Sequence, residues 1–178
     1  MLLEQLGFSF EVRPAEVDES TRPAESPADY VERLAALKAA AATAVAPGEI
    51  TLGADTTVAL DGNILGKPGS VDEARRMLRA LSGRSHRVLT AIALAGAHRA
   101  SRRVETTVDF RELSPAEIDW YVRTGEPMDK AGAYGAQGIG GFLIEAIHGS
   151  HSNVVGLPLA ETLALLAEAG LEMPWSTQ

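Results

Sequence analysis

Ile50-Thr51-Leu52-Gly53-Ala54-Asp55-Thr56-Thr57-Val58-Ala59-Leu60-Asp61-Gly62-Asn63-Ile64-Leu65-Gly66-Lys67-Pro68 is the stretch on which the fold turns. Its apolar run carries one acid, Asp55, to what reads as the end of a buried strand. The Asp61-Gly62 pair is a strong hairpin signal, because both positions tolerate the positive φ of a tight turn. With those two residues as the loop, Leu60 lies opposite Asn63, and counting back puts Thr56 opposite Lys67. A carboxylate and an ammonium therefore meet at one end of a hairpin. That pairing suits a metal-complexed phosphate ester, and it suits a plain surface salt bridge equally well.

The 178 residues are enough for one domain. Hydrophobic content of 46% and charged content of 22% are those of a soluble globular chain. No apolar run reaches the ~20 residues of a membrane span, and no secretory leader is legible after Met1. A cytoplasmic location is the resulting expectation. With no cysteine, disulfides and thiolate metal sites are excluded. A net charge of -8 argues against non-specific nucleic-acid binding. It leaves room for a small anionic substrate, since a few clustered cations can dominate one cleft.

Outward from the hairpin, local signals place the other elements. Leu2, Leu3 and Leu6 with Gly7 read as the last turns of a helix closed by glycine. Phe8, Phe10 and Val12 alternate with polar residues, as in a half-buried strand. Residues 13–21 form a polar loop containing Asp18-Glu19. Ser26 caps and Pro27 opens a helix to about Ala44, broken by Pro47-Gly48. Ser70-Val71-Asp72-Glu73 and Ser114-Pro115-Ala116-Glu117 read as capping boxes. Residues 88–95 read as a strand buried on both faces, and 104–110 as a longer antiparallel one. Residues 142–147 read as another buried strand, 148–156 as a polar loop, and Leu157-Pro158 opens a final helix with Leu159, Leu163 and Leu166 on one face. The expected class is α/β or α+β with a mixed central sheet flanked by helices.

Chemistry has few places to reside. Asp55 follows Gly53-Ala54, where small residues let a ligand approach the backbone; the bland reading is a turn-forming Asp. Glu19 is a loop carboxylate, and two carboxylates converging on one cation is how Mg²⁺ is commonly held. Lys38 and Lys67 lie near apolar faces rather than in charge runs, as phosphate-binding cations would. Residues 129–141 are too rich in glycine for a helix or strand and either turn sharply, sit against a ligand or form a mobile loop. Gln137 within them could read a base edge. The four histidines have no metal-ligand spacing, and no P-loop, GxSxG or HExxH motif occurs.

Several motifs in order resemble the Maf family: Leu52-Gly53-Ala54-Asp55-Thr56, Gly66-Lys67-Pro68, Leu81-Ser82-Gly83, Thr124-Gly125-Glu126-Pro127, Asp129-Lys130-Ala131-Gly132-Ala133-Tyr134-Gly135, Gln137-Gly138 and Asn153-Val154-Val155-Gly156-Leu157-Pro158. The resemblance implies an inosine-triphosphatase-like fold of two lobes around a cleft. It further implies a nucleoside triphosphate pyrophosphatase that releases a monophosphate and pyrophosphate with the help of a divalent cation, Mg²⁺ or Mn²⁺. By the same resemblance Asp55 orients or deprotonates the attacking water, Glu19 and Asp55 hold the metal, and Lys38, Lys67 and Lys130 bind substrate. Thr56 and Gln137 match the subgroup preferring dTTP and UTP. A homodimer is also implied. The family opens with a strand and a Ser-x-Ser-Pro-Arg-Arg loop, whereas this sequence opens at Leu2-Leu3-Glu4-Gln5-Leu6-Gly7. The expectation is therefore a single domain over 1–178, truncated at its N-terminus relative to the family and impaired in turnover. The family's history as septum-formation inhibitors supplies the rival from another class, a non-catalytic nucleotide-binding regulator of cell division. A degenerate structural remnant is a third reading.

Overall fold

The computed structural model describes residues 2–45 and 49–176. Its centre is a sheet in the order β2-β1-β3-β4-β5, from β1 (Ile50–Leu60), β2 (Asn63–Leu65), β3 (Ser85–Gly96), β4 (Ala100–Phe110) and β5 (Ile144–His148). The class is α+β, with the sheet flanked by α1 (Leu2–Gln5), α2 (Pro27–Val45), α3 (Val71–Leu81), α4 (Pro115–Arg123), α5 (His151–Val154) and α6 (Leu159–Glu168). Every pairing is antiparallel, where a mixed sheet was expected. Strands β2 and β3 do run the same way with α3 between them. Strand β1 lies between the two, so no parallel strands become neighbours. No helix among the described residues is long and apolar enough to cross a membrane.

The hairpin forms in the expected register, with Leu60 opposite Asn63. Asp61 and Gly62 take φ of 52° and 81°, the doubly positive turn that matches the twist of the flanking strands. Pairing stops at Val58 opposite Leu65, so the extrapolated Thr56–Lys67 pair is not part of the ladder. Strand β1 also continues to Leu60, which puts Asp55 in mid-strand rather than at a strand end. From Thr57 back towards Ile50 the edge of β1 on that side is not covered by β2.

Alternation along β1 divides the protein. Odd-numbered residues face α2, where Val31, Ala35 and Ala39 pack on Ala59, Leu89, Ala91 and Ala93. The contact is close at Gly53: a Cβ there would stand 2.4 Å from the Ala35 carbonyl oxygen and from the Ala39 nitrogen. Even-numbered residues face the other way and join two separate clusters. Leu52 and Ala54 pack with Ile92, Leu94 and the α6 leucines 165 and 166. Val58 and Leu60 pack with Val88, Val108 and the buried faces of α3 and α4. Thr56 falls between the two clusters, at a seam in the core.

Several local expectations are corrected. Residues 8–12 form no strand, and Phe10 and Val12 are 42% and 58% exposed; alternation makes no strand where no neighbour supplies a ladder. Glu73 accepts from the Gly69 N–H at 2.8 Å rather than from Ser70, so only Ser114 and Glu117 make a reciprocal capping box. Strand β5 is a half-exposed edge, not a buried strand, because β4 covers one side only. The 148–156 segment contains α5, capped by Ser150. In α6 the buried residues are Thr162, Leu165 and Leu166, while Leu159 and Leu163 are half-buried. The Pro47-Gly48 breaker lies outside the described residues.

One polar group sits deep in the α3/α4 side of the core. His86 is buried, with Nε2 2.8 Å from the Tyr134 hydroxyl and edge-on contacts to Phe110 and Tyr134. Burial lowers its pKa from 6.5 to about 4. Between those values the unfolded chain binds a proton that the folded chain does not, so stability is full above 6.5 and is lost as pH falls towards 4. The loss amounts to about 3 kcal/mol. Urea melts across pH 4–7 check this: the wild-type decline should exceed that of His86→Phe by about that amount, and equal slopes would remove His86 as the cause. Separately, Gly53→Ala should lower stability by about 1–3 kcal/mol through overpacking against α2, read as a lower urea midpoint with an unchanged m-value.

Candidate active site

Three turns into α2, Lys38 leans over Asp55. Its Nζ lies 2.6 Å from Asp55 Oδ1 and 2.7 Å from Glu19 Oε1. Lys67 Nζ stands 4.0 Å from the other Glu19 oxygen. The fold thus brings Glu19, Lys38, Asp55 and Lys67 together from a loop, a helix, a strand and the segment after the hairpin. Asp55 is 9% exposed and Lys67 is 62% exposed, so the group runs from the protein interior to solvent.

The Glu19 loop is fixed from α2. The Tyr30 hydroxyl donates to the Glu19 carbonyl at 3.0 Å, and Arg33 donates to the Ser20 carbonyl at 3.0 Å. Arg33 is itself held by Glu25, whose carboxyl it pulls down to a pKa of about 2. Both anchors sit one or two turns before Lys38, so one helix positions the acid and its cation.

Electrostatics distinguish the two acids. Lys38 holds Glu19 below the usual carboxylate range. Burial pushes Asp55 above it, and the bond to Lys38 opposes that shift without cancelling it. Burial also works against the charge on Lys38, but its two carboxylate partners outweigh this and its pKa is raised. Asp55 is therefore the more basic carboxylate of the pair, and its buried Oδ2 has no hydrogen-bond partner among the described residues.

These residues open onto a cleft with two branches, one of about 520 Å³ and one of about 330 Å³, sharing Lys38, Asp55, Thr56, Lys67 and Ala131. The smaller branch reaches Glu19 and Tyr30. The larger passes to the opposite face of β1, where Thr56, Val58, Val88 and Tyr134 line it. Lys130 and the exposed Gln137 also line it, with Lys130 Nζ 2.7–2.8 Å from the Asp129 carboxylate oxygens. All seven residues singled out from the sequence border this one cleft, although Lys38 is occupied by carboxylates and Lys130 by its neighbour.

The glycines of 132–141 have a structural cause. Glu126 accepts from the backbone N–H of Ile139 at 2.9 Å and of Gly140 at 2.8 Å, and from the Tyr121 hydroxyl at 2.9 Å. The same hydroxyl accepts from the Gly135 N–H at 3.1 Å. Burial works against the charge on Glu126, and these donors overcome it and lower its pKa. The wrapping is so tight that a Cβ at Gly138 would stand 2.6 Å from Glu126 Oε2, and one at Gly140 2.4 Å from the Tyr121 hydroxyl. Sequence reasoning assigned Glu126 and Tyr121 no part. The available signal was an acid next to Pro127, just ahead of a segment with backbone donors to satisfy. It also missed Thr90 and Asn153, buried polar residues under Thr56, which nothing local sets apart.

A buried, more basic carboxylate, a bridging ammonium and a second acid thus meet at a cleft lined partly by apolar residues. A family description, Maf-like protein, matches residues 1–169, and the chain belongs to that family. It is 56% identical to a dTTP/UTP pyrophosphatase of Anaeromyxobacter dehalogenans, across 98% of this chain and 90% of the relative. It is 53% identical to one of Myxococcus xanthus (98% and 89%) and 55% identical to one of Shewanella oneidensis (92% and 87%).

Removing the Glu126 carboxylate should loosen one wall of the cleft and leave the sheet intact. In Glu126→Ala the amides of Ile139 and Gly140 lose their acceptor, at a cost of about 1–3 kcal/mol. Hydrogen exchange at those amides should quicken at least tenfold while β3 stays protected; unchanged exchange would contradict the clamp.

Proposed function

We propose that this protein is a nucleoside triphosphate pyrophosphatase that hydrolyses dTTP and UTP to the monophosphate and pyrophosphate. One observation carries the reading: Asp55, buried and raised in pKa, sits in ion-pair contact with Lys38 beside Glu19, in a chain more than half identical to proteins named for that activity. The names of those relatives favour the enzyme over a non-catalytic regulator of division.

In the proposed reaction a water oxygen bonds to the α-phosphorus as the bond from that phosphorus to the bridging oxygen breaks. Asp55 takes the water proton, and the raised pKa makes it a better acceptor. The electron pair of the broken bond leaves with pyrophosphate. Lys67 and Lys130, which both line the larger branch of the cleft, hold the phosphate chain. Lys38 keeps Asp55 and Glu19 aligned in the empty site and would turn to a phosphate oxygen once a bound cation took over those carboxylates.

The donor set fits a divalent cation. Two carboxylates converge here, and Asp55 Oδ2 is a buried acceptor without a partner, an arrangement suited to Mg²⁺ or Mn²⁺ completed by water and phosphate oxygens. Glu19 and Asp55 would hold the ion. When bound it neutralises charge on the leaving pyrophosphate and polarises the attacking water. A cytoplasmic homodimer belongs to the same proposal, the cytoplasm being the compartment that supplies nucleoside triphosphates.

The assay is pyrophosphate release from dTTP, UTP, CTP and purine triphosphates with Mg²⁺ or Mn²⁺. Turnover should favour dTTP and UTP and stop on chelation. Asp55→Asn should cost about 10²–10⁴-fold in kcat without loss of the folded state. Wild-type turnover in Asp55→Asn would sink the assignment.

A further inference from the structure

Thr56 and Thr90 are opposed across β1 and β3, and their hydroxyl oxygens lie 2.8 Å apart. The Thr90 oxygen is also 3.0 Å from the backbone carbonyl of Asn153. Each contact needs a proton between its two oxygens, since otherwise lone pair faces lone pair. A carbonyl has none to give, so the Thr90 proton goes to Asn153. The proton between the two hydroxyls must then come from Thr56. Thr56 Oγ1 has no donor left and turns only lone pairs to the cleft it borders.

The direction is locked from behind. Thr90 is fully buried and so is Asn153. Asn153 Nδ2 donates to the Val88 carbonyl at 3.0 Å and to Thr106 Oγ1 at 2.9 Å. Its carbonyl also accepts from the Gly156 N–H at 2.9 Å. Gly156 (φ +107°) borders the cleft, and a Cβ there would stand 3.5 Å from Thr56 Oγ1. Its missing side chain keeps the approach to that oxygen open.

The surroundings say what approaches. An acceptor-only oxygen cannot bind a phosphate, whose oxygens are acceptors too. It needs a ligand donor. Apolar Val58, Val88 and Val154 with Tyr134 flank it, on the sheet face opposite Asp55. They suit the flat body of a base, while the charged group across the open edge of β1 suits the phosphates.

We propose that Thr90 is a positioning residue that fixes Thr56 as an obligate hydrogen-bond acceptor for the N3–H of uracil or thymine. Cytosine presents a lone pair at N3 and meets the same oxygen with repulsion. The inference rests on the pyrophosphatase reading for its substrate, and it explains discrimination among pyrimidines that the charged residues do not supply.

Wild type, Thr90→Val, Thr90→Ser and Thr56→Val are compared by kcat/KM on UTP, CTP, 3-methyl-UTP and 3′-deoxy-UTP. Thermal melting confirms that each is folded. Thr90→Val frees the Thr56 proton to donate, so the UTP-to-CTP ratio should fall about tenfold or more, mainly through KM. Thr90→Ser retains a hydroxyl and should restore the ratio. Wild type should reject 3-methyl-UTP and accept 3′-deoxy-UTP. An unchanged ratio in folded Thr90→Val overturns the proposal, as does rejection of 3′-deoxy-UTP in place of 3-methyl-UTP. Absence of any wild-type turnover would count against the pyrophosphatase reading instead. The Thr90 comparison is then read from calorimetric binding of UMP and CMP, where equal relative affinities in wild type and Thr90→Val overturn it.

Discussion

The close approach of α2 to β1 at Gly53 is the constraint on which the rest depends. Helix and strand meet where a single Cβ would collide with the Ala35 carbonyl oxygen. With glycine there, Ala35 and Ala39 seat on the strand, and Lys38, from the same stretch of helix, comes over Asp55, two residues along on the same strand face. The period of the helix and the period of the strand coincide at this crossing. A larger residue at 53 would push the helix away and stretch the 2.6 Å contact between Lys38 and Asp55. Packing and chemistry are therefore one requirement here: the tolerance of the core sets the geometry of the charged group.

The opposite face of β1 works by a different logic. Its apolar side chains do not form one core but two, with Thr56 at the boundary. Polar residues would be costly inside either cluster, yet Thr56, Thr90, Thr106 and Asn153 bond chiefly to one another and to backbone carbonyls. The donors of that network are all used, Asn153 Oδ1 alone of its side-chain atoms being buried without a partner among the described residues, and Thr56 lies at its cleft end. A nucleotide reaching both faces has to pass the edge of β1 that β2 leaves uncovered.

Sequence made legible whatever is decided over a few residues. The Asp61-Gly62 turn, the Ser26, Ser70 and Ser114 caps, and the run of β3 follow from backbone preference and periodicity, and the structure places them as expected. Failures occur where the deciding partner is remote. Residues 8–12 alternate as a strand does, but no ladder lies beside them. Residues 142–147 read as a core strand, yet topology leaves the strand that forms, β5, at an edge. The glycine-rich segment pointed to a ligand, a turn or a mobile loop, and its density comes from Glu126 and Tyr121, which bond it from 13 to 14 residues away in sequence. Asp55, Glu19, Lys38 and Lys67 could be named individually. The hairpin alone puts Asp55 and Lys67 near one another; that Glu19 and Lys38 join them could be anticipated only through a family resemblance, since they come from separate parts of the chain.

Charge balance around the cleft bears on what the substrate must bring. Its bordering cations are Lys38, Lys67 and Lys130; its bordering carboxylates are Glu19, Asp55, Asp129 and Glu126. The acids outnumber the lysines, and each lysine stands within 4.0 Å of one. Such a surface does not attract a bare triphosphate, and the overall charge of -8 does not help. Glu126 is committed to backbone donors and Asp129 to Lys130, which leaves Glu19 and Asp55 as the acids whose charge can be met by something new. A divalent cation arriving with the nucleotide would neutralise those two and free Lys38 from its double engagement. The lysine could then serve the phosphate chain, which it cannot do while both carboxylates hold it. Cation and substrate would then bind as a unit, and Lys38 would exchange its carboxylate partners for the phosphate chain on going from the empty to the loaded site.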